Sequence, residues 1–207
     1  MDVDSTLITQ EVIELLAARS GHRDEVARVT AAAMSGQLDF AASLRRRVAL
    51  LEGLDEAVLD EVADGLQLTE GAETVIRAMQ ASGTRCGIAS GGFVQTSRRL
   101  VERLQLDYCA ANTLEVVDGR LTGRVTGVVV DRAGKAAALR DFAAAHGIGL
   151  DRTVAIGDGA NDIDMLAAAG YAIAFNAKTA LRDYADVEID GPSLAPVLGL
   201  LRRAAGR

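Results

Sequence analysis

The chain has 207 residues, of which 49% are apolar and 3% aromatic with no Trp, and its formal net charge is −7. Such a length and composition support one aliphatic core of Ala, Leu, Val and Ile, with room for a small insertion. The acidic balance, without a basic stripe, argues against nucleic acid or an anionic membrane as partner. No apolar run reaches the roughly 18 residues of a spanning helix. Asp2 and Asp4 stand where the apolar stretch of a leader would begin, and Cys86 and Cys109 read as reduced core residues, so the expected location is cytoplasmic.

In chain order, Asp2-Val3-Asp4-Ser5-Thr6 comes first and sets two carboxylates two residues apart before two hydroxyls. That pattern suits an aspartate nucleophile with an aspartate general acid, although an isolated Asp-x-Asp is more often a turn or a solvated loop. From Thr9, a plausible cap, to about Leu68 the apolar spacing is helical. It predicts helices beginning near Val12, over Arg23–Met34, over Phe40–Leu51 behind Asp39 and over Glu56–Gly65 behind Asp55. From Thr69 the rhythm changes to alternating strands and helices. Cys86–Ala89 reads as a buried strand followed by Ser90-Gly91-Gly92 and a helix over Val94–Leu104. Asp118-Gly119 between two apolar runs predicts a hairpin. Lys135 begins a helix after Gly134. Thr153–Ile156 is a further strand, followed by Gly157-Asp158-Gly159-Ala160-Asn161-Asp162 and a helix near Asp162–Ala169, and Tyr171–Phe175 and Val187–Ile189 complete the strands.

The predicted fold class is therefore α/β: a parallel sheet with helices on both faces, an all-helical insertion over residues 9–68, and a small β-hairpin. Residues 1–8 and 69–207 form the core in this reading. Ligands bind open α/β sheets outside the carboxyl ends of the strands. Asp2/Asp4, Ser90-Gly91-Gly92 and the Gly157–Asp162 run all fall at such ends, and Lys135 adds a cation. Alone, Ser-Gly-Gly is also a tight turn, Gly-Asp-Gly-x-Asn-Asp also a Ca²⁺ loop or a capped helix start, and Lys135 also a solvated lysine; together they point to one site. Mg²⁺ needs only one or two carboxylates plus water and substrate phosphate, which this set can supply. Within the insertion, Phe40 and Arg47 are seven apart and share a helix face, whereas Arg45 and Arg46 read as solvated.

Asp2-Val3-Asp4-Ser5-Thr6, Ser90-Gly91-Gly92-Phe93, Lys135 and Gly157–Asp162 resemble the four motifs of the haloacid dehalogenase superfamily, most nearly its phosphoserine phosphatases, along essentially the whole chain. The resemblance implies a HAD-like (Rossmann-like) core whose helical cap closes over the site. It implies that Asp2 attacks phosphorus to form an aspartyl phosphate, and that Asp4 acts first as general acid and then as base. Mg²⁺ would be held by Asp2, the Asp4 backbone carbonyl and Asp158, with Asp162 supporting through water. Ser90, the Gly91 amide and Lys135 would hold the phosphoryl group, and Asn161 would also bind substrate. Four cap residues match substrate positions: Glu11 for the ammonium of O-phosphoserine, Arg47 for its carboxylate, and Met34 and Phe40 to exclude water. The implied activity is hydrolysis of O-phospho-L-serine, the final step of serine biosynthesis, by a monomer or homodimer.

Phosphohomoserine or another small phosphomonoester is the alternative substrate, a phospho-acceptor receiver module the alternative function, and a non-catalytic fragment the third reading. The family's first motif ends a buried central strand, whereas only Met1 precedes Asp2 here. The expectation is accordingly that the natural protein has residues upstream of Met1, at least a strand.

Overall fold

A computed structural model describes residues 1–34 and 39–205. Helices α1 (Val12–Ser20), α2 (Arg23–Met34), α3 (Phe40–Ala49) and α4 (Ala57–Asp64) follow one another, as the helical spacing predicts. Asp39 caps α3, its carboxylate accepting from Ala42 N at 2.9 Å. Thr9 caps nothing, contrary to expectation. Its N–H is taken by Gln67 O at 3.0 Å, and Ile8 bridges Leu68 in antiparallel fashion, so the entry and exit of the helical segment are tied together. α1 starts behind Glu11, which makes no side-chain cap.

The remainder runs α5 (Ala72–Ala81), β1 (Gly87–Phe93), α6 (Val94–Leu104), β2 (Tyr108–Val117), β3 (Arg120–Thr126), α7 (Arg132–Ala145), β4 (Val154–Gly157), α8 (Ile163–Ala168), β5 (Tyr171–Phe175), α9 (Thr179–Arg182), β6 (Val187–Ile189) and α10 (Pro196–Ala205). Strand pairing gives β1-β2-β3 and β4-β5-β6, parallel except for the antiparallel β2–β3 hairpin. Asp118 and Gly119 turn that hairpin at φ +50° and +73°, as a type I′ turn requires. The first residues join the two halves: Ala89 N donates to Met1 O at 3.1 Å, and Asp2 N donates to Ile156 O at 2.9 Å. Asp2 is thereby fixed between β1 and β4, at the carboxyl ends of both.

Alternate residues of the strands face opposite sides. Ile88, Ile156, Ile173 and Phe175 enter an apolar cluster with residues of α5, α6 and α10. Ala89, Ala155, Ala172 and Ala174 face α7 and α8, where small side chains let the helices approach closely. The first cluster continues without a break into Ile13, Leu16, Leu44, Val48 and Leu59 of the helical segment. The helices at residues 12–64 are therefore packed onto the same core as the sheet.

Two expectations about local structure are corrected. The strand expected over Cys86–Ala89 runs over Gly87–Phe93, so Ser90-Gly91-Gly92 does not follow it but is its bulged continuation, with the register shifting between Ala89 and Phe93. Lys135 does not begin its helix: Asp131 caps α7 by accepting from Gly134 N at 2.9 Å, so Lys135 lies in its first full turn. Cys86 and Cys109 are unpaired and half-buried, and His22 and His146 are exposed.

Candidate active site

After Asp2 the chain leaves the sheet in a wide turn, Val3–Leu7, that needs Ser5 at φ +58°. A non-glycine residue there stores on the order of 1–3 kcal/mol of strain, which the surroundings must over-determine. The Ser5 hydroxyl donates to Glu11 Oε1 at 2.7 Å, tying the turn to the start of α1. The turn also carries the Asp4 carboxylate toward the cavity above Asp2. Its Oδ1 is buried and has no hydrogen-bond partner among the described residues.

Lys135 is fully buried and donates to Asp2 Oδ1 at 2.6 Å and to Asp162 Oδ1 at 2.7 Å. The other Asp162 oxygen accepts from Gly159 N at 3.1 Å and Asp158 N at 3.3 Å. Asp162 can fold back in this way only because residue 157 is glycine: a Cβ there would stand 2.5 Å from the Asp162 carboxyl carbon. Thr6 Oγ1 donates to Asp158 Oδ1 at 3.4 Å, and Lys178 Nζ is 4.0 Å from its other oxygen.

Three carboxylates around one lysine leave excess negative charge in a buried place. Burial, then Asp162, push the Asp2 carboxyl up to about 7 despite Lys135, and the same two causes push Asp158 up to about 6. Burial followed by the charges of Glu11 and Asp2 holds Asp4 well above the usual carboxylate range. Burial alone would lower Lys135, but Asp162 and Asp2 raise it, so it stays charged.

On the helical side, Phe40 lies directly over Gly91, where a Cβ would meet the ring at 2.9 Å. Arg47 is 8% exposed; its Nη1 donates to Thr30 Oγ1 at 3.2 Å and its Nε to Ser43 O at 3.3 Å. Burial lowers its pKa while Glu11 and Asp4 oppose that shift. Ser90 is 1% exposed and its Oγ accepts from Gly92 N at 2.8 Å.

Asp2, Asp4, Glu11, Phe40, Arg47, Ser90, Gly91, Asp158 and Asn161 all line one cavity of about 390 Å³. Lys135 and Asp162 do not line it but stand beside Asp2, Lys135 bonding both Asp2 and Asp162. Met34 ends α2, and its side chain lies outside the described residues. Sequence reasoning missed Thr30, Arg132 and Lys178, which also line the cavity. Lys178 follows β5 at its carboxyl end, so the strand-end rule contained a signal for it; Thr30 had none.

A metal fits the donor set. Carboxylate oxygens of Asp2, Asp158 and Asp162 lie within 4.8 Å of one another, all buried. Asp2 keeps one oxygen clear of Lys135, whereas both oxygens of Asp162 are engaged within the protein. Asp2 and Asp158 are therefore the direct candidates, with Asp162 supporting.

The raised carboxylates predict a pH dependence. Free carboxylates titrate near 4. With Asp2 at about 7 and Asp158 at about 6, the folded metal-free protein binds more protons than the unfolded chain between those limits. The stability contributed by these groups therefore rises as pH falls from about 7.5 toward 4. Metal-free protein should melt at a higher temperature at pH 6 than at pH 8, and Asp158→Asn should shrink the difference. A higher melting temperature at pH 8, with the difference unaffected by the substitution, would contradict the assignment.

Comparisons with known proteins agree with this geometry. A family model of haloacid dehalogenase-like hydrolases matches residues 1–167. A phosphoserine phosphatase of Streptomyces coelicolor is 61% identical over 97% of this chain, and the chain spans 49% of that relative's length. One of Lactococcus lactis is 44% identical over 100% of this chain and 96% of its own. A solved structure described as a phospho-aspartyl intermediate analogue of phosphoserine phosphatase superposes with a TM-score of 0.92 at 42% identity, covering 96% of this chain and 95% of that one. With the motif residues gathered around a single cavity and the match extending through the Gly157–Asp162 motif, the chain belongs to the haloacid dehalogenase-like hydrolases, in their phosphoserine phosphatase branch.

Proposed function

We propose that the protein is a Mg²⁺-dependent phosphoserine phosphatase in which helices α1–α4 form a cap over the catalytic sheet. The observation that carries the reading is the shared cavity: Glu11 and Arg47 look into the same space as Asp2 and Asp4. A ligand with an ammonium, a carboxylate and a phosphate meets a complementary group at each end.

In this reading the Asp2 oxygen not bonded to Lys135 attacks phosphorus, and the P–O bond to serine breaks. Asp4, protonated because of burial and the neighbouring Glu11, gives its proton to the departing serine oxygen. The aspartyl phosphate is then hydrolysed by water whose proton returns to Asp4, which restores both carboxyls. Ser90, the Gly91 amide and Lys135 receive the charge that spreads over the equatorial oxygens. Asp2, Asp158 and the Asp4 backbone carbonyl would hold the metal, which would supply neutralisation of the phosphate charge. Asn161, on the cavity wall near Gly91, contacts the substrate from that side. Phe40 covers the phosphoryl site, and Arg47, braced by Thr30, grips the substrate carboxylate.

Among the described residues no helix is long and apolar enough to cross a membrane. The proposed setting is the cytoplasm, in keeping with two unpaired cysteines.

The test compares Mg²⁺-dependent phosphate release from O-phosphoserine and from phosphoethanolamine, which lacks the carboxylate. A hydrogen bond to a charged group contributes about 1.5–3 kcal/mol, so phosphoserine should be preferred by roughly ten- to a hundredfold in kcat/KM. Arg47→Ala should remove most of that preference by lowering the phosphoserine rate alone. Equal rates on both compounds in the unaltered protein, or a faster reaction with phosphohomoserine, would reject the phosphoserine assignment.

A further inference from the structure

Asn112 lies on β2, is 2% exposed and belongs to none of the four motifs. Both ends of its amide are used. Nδ2 donates to Gly91 O at 2.9 Å, and Oδ1 accepts from Val130 N at 2.8 Å. We propose that Asn112 is a positioning residue for phosphoryl transfer, its amide aligning the Ser90 hydroxyl and the segment that launches the Lys135 helix. The inference rests on the reading of Ser90 and Lys135 as phosphoryl-binding groups.

The β1–β2 ladder pairs Ala89 with Ala110 and Phe93 with Asn112, with a register shift between them, so Ser90, Gly91 and Gly92 have no register partner on β2. The Asn112 side chain substitutes for a ladder bond at that gap. Gly91 O belongs to the planar peptide unit whose N–H is that of Gly92. Asn112 holds the carbonyl end of this unit, and the other end donates to Ser90 Oγ at 2.8 Å. With one lone pair of Oγ occupied by that N–H, the hydroxyl proton is free for an acceptor in the cavity that Ser90 lines. The orientation of one peptide plane thus sets the direction in which Ser90 donates.

The second arm reaches the cation. Val130 precedes Asp131, the cap of α7, and Lys135 N donates to Asp131 O at 2.8 Å in the first turn. Fixing the Val130 N–H fixes where α7 begins, and hence where Lys135 stands relative to Asp2. Giving one hydrogen bond and accepting another at two separate atoms is met by a carboxamide; an ionised carboxylate only accepts, an alkyl group does neither, and a hydroxyl does both at a single atom.

The test uses Asn112→Asp, which keeps the acceptor for Val130 and loses the donor to Gly91, with Asn112→Ala as the uncharged control. Both are assayed on metal-loaded protein with phosphoserine and with p-nitrophenyl phosphate. The second substrate needs no cap recognition, so failure of the phosphoserine assignment would leave this test standing. Misplacement of a reacting geometry loses roughly ten- to a hundredfold. Both variants should lose that in kcat on both substrates with little change in KM, because the donors are stronger toward the transition state. In the double variant with Ser90→Ala, Asn112→Asp should add almost nothing to the loss from Ser90→Ala alone. Full kcat in the folded single variants would overturn the proposal, as would losses that multiply in the double variant. If Asn112→Asp fails to fold, Asn112→Ala, which loses both arms, is read in the Ser90→Ala background: a further loss smaller than that of Asn112→Ala alone supports the proposal, and losses that multiply in full overturn it.

Discussion

Asp2→Asn should lower kcat for phosphate release by about ten-thousandfold or more, the scale on which deletion of a covalent nucleophile acts. The amide is nearly isosteric with the carboxylate but is a poor nucleophile toward phosphorus. Its effect on folding should be the reverse of its effect on rate. Asp2 shares a buried site with Asp158 and Asp162, and its carboxyl is pushed up to about 7 there. Removing that charge relieves repulsion, while Lys135 keeps its bond to Asp162 at 2.7 Å. Metal-free Asp2→Asn should therefore melt no lower than the parent at pH 8. The pair of measurements is phosphate release on metal-loaded protein and thermal melting without metal. A variant that is inactive only because it has unfolded would contradict this account of the site, as would one with an unchanged rate.

Lys135→Met carries the second large effect, and here rate and stability should fall together. Among the described residues, Lys135 is the one side chain that bonds both Asp2 and Asp162. Removing a preorganised donor to transferring charge lowers kcat by about 10²–10³-fold. Breaking a buried ion pair by removing one partner is destabilising by about 3–5 kcal/mol, because the carboxylates left behind are uncompensated. Domains have only about 5–15 kcal/mol in total, so the metal-free variant should be close to unfolding at neutral pH. Divalent metal, bound to the same carboxylates, should restore much of its stability but little of its rate. Denaturant titrations with and without Mg²⁺ read the first effect and steady-state kinetics the second. A variant as stable as the parent without metal would show that the lysine does not hold this cluster together.

The residues that carry this chemistry were legible because they occur where topology makes polar clusters conspicuous. Ser90–Gly92 and Gly157–Asp162 each follow an apolar run in the alternating stretch, Asp2/Asp4 is marked by its paired carboxylates, and the fold brings all three to one cavity. Helix α6 is found over Val94–Leu104 and β5 over Tyr171–Phe175, as the spacing predicts. What the spacing could not reveal depends on partners far along the chain. Thr9 looked like a cap because the sequence does not show that the Ile8–Leu68 bridge precedes it and that α1 starts only at Val12, behind Glu11. Gly134 looked like a helix start because the cap is supplied by Asp131, three residues earlier. The strand looked finished at Ala89 because a bulge over Ser90-Gly91-Gly92 retains the strand direction without its ladder. In the proposed roles Thr30 acts through Arg47, and Asn112 through Gly91 and Val130, at sequence separations of 17, 21 and 18. No local pattern marks such residues, since their role is set by which backbone or guanidinium group the fold places beside them.

The central claim is covalent catalysis by Asp2 on phosphoserine. The direct test is rapid acid quenching during turnover of phosphoserine labelled in its phosphoryl group, followed by peptide mapping of the trapped label. The account predicts a labelled acyl phosphate on the N-terminal peptide at Asp2, formed before free phosphate is released and absent in Asp2→Asn. Phosphate release that proceeds with no label on the protein, or with the label on any other residue, would contradict it.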